Sequence, residues 1–115
     1  MEFKAIVLRR LRFICGPVDK EIIVGVSAPY TPPLDKAMAD KGYSACGVLT
    51  CDDPTLAYEV FGCDEFEALE MAVIRVNQYL TRLSEDPNGE LQFSDGHKFE
   101  PGGSEFMKGY LNRIK

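Results

Sequence analysis

The chain is poor in the residues and runs that most site chemistry and membrane insertion need. Histidine occurs once, at His97, so a nucleophile–imidazole pair or an imidazole-rich metal site has one candidate only. No stretch approaches the ~20 consecutive apolar residues of a membrane-spanning helix. The stretch Met1–Phe13 is interrupted by Lys4, Arg9, Arg10 and Arg12 and lacks the apolar centre of a secretion signal. A cytoplasmic protein with no membrane association is therefore expected. There is no GxGxxG, Walker-type or GxSxG motif. Gly102-Gly103 follows Pro101 instead of joining a strand to a helix, which gives no cradle for phosphate. The four cysteines, Cys15, Cys46, Cys51 and Cys63, form no CxxC pair and no zinc-finger frame. They read as isolated small hydrophobes, and no cofactor or metal is expected.

A basic stripe is missing as well. Lys4, Arg9, Arg10 and Arg12 share one predicted strand, but Arg9 points away from the other three because strand side chains alternate. This argues against a nucleic-acid partner.

What is present is an ordinary folding composition. The 115 residues are 45% hydrophobic and 27% charged, which suits one domain over 1–115 with a single core. The net charge of −5 hides an uneven distribution. Residues 1–50 carry +2, residues 51–100 carry −9 and residues 101–115 carry +2. The central block repels phosphate backbones and favours a basic partner, though the same acidity also serves a solvated face.

Hydrophobic periodicity places the elements. Residues 3–13 alternate as a strand with Phe3, Ala5, Val7, Leu11 and Phe13 on one face. After the turn Gly16-Pro17-Val18-Asp19, Glu21–Ser27 forms its antiparallel partner. Pro29, Pro32 and Pro33 exclude a central strand from the connection 28–42, in which Leu34–Asp40 suits a short helix. Tyr43–Cys51 and Leu56–Phe61 are two further strands joined at Asp52-Asp53-Pro54-Thr55. Asp64 and Glu67 then form a capping box for a long helix over about 64–84. Its apolar stripe is Phe66, Leu69, Val73, Val76, Leu80 and Leu83. Asp95-Gly96 marks a C-terminal hairpin between Leu91–Ser94 and His97–Phe99, and Ser104 caps a short last helix. The class is α+β: an antiparallel meander sheet packed on one long helix, then a C-terminal hairpin and short helix.

The run Tyr58-Glu59-Val60-Phe61-Gly62-Cys63-Asp64, followed by Ala68-Leu69 and Met71-Ala72, resembles an uncharacterised family of small bacterial proteins. In that family a strand ends in an aromatic-Gly-x-Asp motif and the following helix carries Ala-Leu. The likeness spans about residues 3–99 and implies a fold plan without an activity. Two departures are Glu67, where Gln is common before Ala-Leu, and the added C-terminal apolar segment. The motif also has a local physical meaning. Gly62 allows a sharp strand-to-helix corner, Asp64 caps, and Ala68 and Ala72 permit close approach of helix and sheet.

Three roles follow. The first is a non-catalytic protein-binding domain, in its most specific form an immunity or antitoxin-like inhibitor that meets a basic toxin through an acidic face. Asp52, Asp53, Glu59, Glu65, Glu67 and Glu70 are its binding residues. The second is an accessory or structural homodimer joined through an apolar patch of Met71 and Ile74, which lie off the main helix stripe, with Phe106 and Tyr110. The third is a small cysteine enzyme pairing Cys63 with His97, where the helix dipole would lower the thiol pKa.

Overall fold

The computed structural model describes residues 4–32, 42–50 and 56–101. Their elements are the strands β1 (Ala5–Cys15), β2 (Val18–Ser27), β3 (Ser44–Leu49) and β4 (Tyr58–Gly62), the helix α1 (Glu65–Ser84), and the strand β5 (Gly89–Gln92). The protein is α+β, with a five-stranded antiparallel sheet in the order β4-β3-β2-β1-β5. The proposed helices at Leu34–Asp40 and after Ser104 lie outside the described residues.

The strands differ from the expected plan at the C-terminal end. β1 to β4 are neighbours in chain order, but β5 is a fifth member of the same sheet and does not belong to a separate hairpin. It pairs antiparallel with the end of β1, from Arg12↔Gln92 to Cys15↔Gly89. The turn that makes this pairing is local: Gly89 N–H donates to the Asp86 carbonyl at 3.1 Å, and Asn88 N–H to Asp86 Oδ1 at 2.9 Å. A two-stranded hairpin alone is marginal in water, so joining an existing strand is the more stable arrangement. The Asp95-Gly96 turn still forms, with Gly96 at φ +92°. Its returning arm shrinks to one bridge, Gln92↔Lys98.

The described residues form two compact units. One comprises those within Met1–Arg10 and Ile22–Val76, the other those within Leu11–Glu21 and Asn77–Lys115. In the first, Val26, Cys46, Val48 and Val60 of the sheet meet Ala68 and Ala72 of α1, with Leu69, Met71 and Val76 around them. All six residues of β3 are buried, as suits a strand between two others. The small side chains of Ser44, Ala45 and Gly47 make that burial compatible with close packing. In the second unit, Leu11, Leu80, Leu91 and Phe99 are buried, and Phe93 and Phe99 meet edge to face at 5.3 Å. A Cβ at Gly89 would stand 2.5 Å from the Phe13 ring, so a larger residue there would require that ring to shift.

The helix faces the sheet differently from the expected stripe. Its inward residues in the first unit are Ala68 and Ala72, while Phe66 and Val73 are exposed. Large residues dominate a periodicity reading, and here they misplace the centre of the buried face by roughly 80–90°, taking about 100° per residue. The shift also corrects the reading of Met71. It packs against the first unit's core instead of forming an outward patch, whereas Ile74 is exposed.

Candidate protein-binding surface

A surface with built character lies at the first turn of α1. Two features fix the helix start. Asp64 is the N-cap: its Oδ1 accepts the Glu67 N–H at 2.7 Å, and its carbonyl accepts the Ala68 N–H at 3.0 Å. Glu67 Oε1 reaches back to the Cys63 N–H at 2.9 Å, one residue before the position it takes in the usual capping box. Gly62 fixes the approach, since a Cβ there would stand 2.4 Å from the Ala68 nitrogen and 2.7 Å from the Glu67 carbonyl carbon. Only glycine lets the first helical turn rest on the end of β4.

The segment that follows β2 is held opposite this turn by a bulge. Val26 pairs with Val48, and Tyr30 pairs with Ala45. Four residue steps on one side therefore match three on the other, which is one extra residue. Ser27 absorbs it: its Oγ accepts the Gly47 N–H at 2.7 Å and donates to the Ala28 carbonyl at 2.9 Å. The pairing at Tyr30 is regular, with both backbone hydrogen bonds to Ala45 at 2.8 Å. The Tyr30 hydroxyl then donates to Glu59 of β4. Burial and the adjacent Glu59 carboxylate push the Tyr30 phenol well above its usual pKa. The prolines had marked residues 28–32 as plain loop, yet Tyr30 sits in a paired position between Pro29 and Pro32.

Together these restraints leave an open depression of about 510 Å³ lined by Pro29, Asp64, Glu65, Phe66 and Leu69. Phe66 is 72% exposed although large and apolar. The apolar wall carries two carboxylates at its rim, a combination that suits a Lys or Arg side chain. The stem of such a residue covers apolar surface while its charged head meets a carboxylate or the face of the ring.

The expected acidic residues divide accordingly. Glu65, Glu67 and Glu70 are exposed on the first turns of α1. Glu67 is already committed to the cap, and half-buried Glu59 accepts from Tyr30. Asp52, Asp53, Phe106 and Tyr110 lie outside the described residues. Pro29 and Phe66 were missed as members of this surface. The one signal for Phe66 was its place between Glu65 and Glu67 in the first turn, where a capped helix is still at the surface.

The thiols and the histidine have separate partners. Cys63 is exposed, but the Glu67 carboxylate, with Asp64 nearby, raises its pKa. This is the reverse of the activation expected from the helix dipole. Burial raises that of Cys46, whose Sγ donates to the Ser27 carbonyl at 3.1 Å. Cys15 lies 3.7 Å from Asp86 Oδ2 and is also raised, chiefly by desolvation. His97 Nδ1 lies 2.8 Å from Asp95 Oδ2, and its N–H lowers the Asp95 pKa. Among the described residues no cluster of three metal-ligating side chains occurs, and no helix is long and apolar enough to cross a membrane. No family model, no curated protein and no solved structure matches the chain.

Proposed function

We propose that the chain is a non-catalytic protein-binding domain that meets a basic partner at the first turn of α1, in the manner of an immunity or antitoxin-like inhibitor. The observation that carries this reading is Phe66, a large apolar side chain left 72% exposed beside Asp64 and Glu65 over a formed depression. Aromatic anchors ringed by charge are the usual energetic centre of a protein interface. The −9 block of residues 51–100 supplies the long-range attraction. Glu65 and Glu70 serve as its steering charges; Asp52 and Asp53, the other acidic candidates, lie outside the described residues. The raised thiol of Cys63 supports a non-catalytic role over a cysteine nucleophile. The likeness to small bacterial domains around Gly62–Asp64 belongs to the same proposal.

The test uses the product of the reading frame next to this chain's own as the probe, titrated calorimetrically with the full chain. The reading expects a complex that Phe66→Ala weakens at least tenfold, which is about 1.4 kcal/mol. Absence of binding to a basic neighbour, or binding indifferent to Phe66→Ala, contradicts it.

A further inference from the structure

The outward face of α1 carries apolar residues where a helix packed by one side on a sheet usually carries polar ones. Ala68 and Ala72 are fully buried against the sheet. Glu70 stands two residues from each of them, about 200° round the helix at about 100° per residue, so it points away from the sheet. It is exposed. Its neighbours on the helix surface, at the −4, +3 and +4 positions, are Phe66, Val73 and Ile74. These three are 72%, 45% and 47% exposed. One carboxylate therefore stands inside an apolar patch that runs roughly 12 Å along the helix, from the depression at Phe66 to Ile74. Among the described residues no ion pair engages Glu70.

We infer that this patch continues the binding surface, and that it takes an apolar area of the partner with one basic side chain at its centre, set against Glu70. The inference rests on the protein-binding reading above and extends it along the helix. Two features select that occupant. Covering Phe66, Val73 and Ile74 also covers Glu70, because they bracket it, and a carboxylate removed from water is strongly destabilising unless a cation meets it. Phe66 and Ile74 also lie four residues on either side of Glu70. A two-fold contact between copies through this patch is therefore centred on Glu70 and sets two carboxylates against each other. The geometry that disfavours a second copy favours a basic partner, and the −9 block of residues 51–100 has the same preference.

Glu70 thus acts at short range as well as in steering, and the distinction is kinetic. A charge at the rim of an interface alters the association rate and its salt dependence. Loss of one member of a desolvated charge pair instead speeds dissociation.

The probe is the purified product of the neighbouring reading frame. Its dissociation from the full chain is followed at low salt and at about 0.5 M salt, where exposed charges are screened beyond roughly 4 Å. Glu70→Gln is expected to speed dissociation at least tenfold at both salt concentrations, and Val73→Ala combined with Ile74→Ala to do the same. The far-UV spectrum of each free variant is expected to match the parent, since all three positions are exposed. A complex weakened by Phe66→Ala but with dissociation unchanged by the other variants overturns the inference and leaves the protein-binding reading in place. So does an effect of Glu70→Gln confined to association at low salt. Absence of any complex overturns both. Sedimentation equilibrium of the chain alone is expected to give the monomer mass, and a dimer that Ile74→Lys dissolves overturns the inference in favour of a second copy.

Discussion

The Tyr30 hydroxyl donates to the Glu59 carboxylate, joining the segment after β2 to β4 across 29 positions of sequence. This contact and the Tyr30–Ala45 backbone pair hold Pro29 where it can wall the depression at α1. Tyr30→Phe removes the donor and leaves Glu59 without it. A loss of about 1–2 kcal/mol is expected in urea denaturation, since hydrogen bonds to charged groups exceed the ordinary value. Glu59→Gln keeps an acceptor and is expected to cost less.

The same contact has a pH signature. The Tyr30 phenol is held above its usual pKa in the folded chain, so the folded state favours the protonated form. Its contribution to stability is complete below pH ~10, the unfolded value, and is lost as the pH rises from there towards the folded pKa. An ultraviolet titration of the phenolate band is expected to show one of the five tyrosines still protonated when exposed tyrosines have ionised. Tyr30→Phe is expected to remove that late component. A late component that persists in Tyr30→Phe assigns the shift elsewhere and contradicts the geometry.

Gly62 is the corner on which the binding surface is built. Gly62→Ala places a methyl 2.4 Å from the Ala68 nitrogen, against backbone that cannot move independently of the cap. A loss of about 2–3 kcal/mol is expected, at the upper end of overpacking costs. Gly16, at φ +57° with open space around it, is the control. Gly16→Asn tolerates that conformation and is expected to stay within about 1 kcal/mol of the parent.

Cys63 reports the electrostatics of the helix start. With its pKa raised chiefly by Glu67, the thiol is expected to react slowly with iodoacetamide at neutral pH. Glu67→Gln removes the charge but keeps an acceptor for the Cys63 N–H. The thiol pKa then falls, and alkylation is expected to accelerate several-fold at the same pH. An unchanged rate would show that the carboxylate does not govern the thiol.

Local chemistry made much of this fold legible. The start of α1 was readable because capping is written within four residues, Asp64 to Glu67. The β1–β2 hairpin was readable from alternation around Gly16-Pro17, although its strands lie two or three residues from the expected bounds. The pairing of β5 with β1 was not readable, since it rests on a match between residues about 80 apart. The facing of α1 was misread because Ala68 and Ala72 carry little hydrophobic weight, yet their smallness is what brings the helix onto the sheet. That error also hid Phe66, assigned to the core by its size, and misassigned Met71 to a surface patch. Glu59 was expected among the binding residues; the structure gives its carboxylate to Tyr30, which lay in a connection where three prolines excluded a central strand.

The central claim, recognition of a basic partner at the first turn of α1, is tested most directly by association kinetics at low and physiological salt. The variant is Glu65→Lys with Glu70→Lys, which leaves the Asp64–Glu67 cap untouched. Against the purified neighbouring gene product, the account predicts an association rate at least tenfold slower at low salt, a flattened salt dependence and an unchanged melting temperature. An association rate and salt dependence equal to those of the parent chain would contradict it.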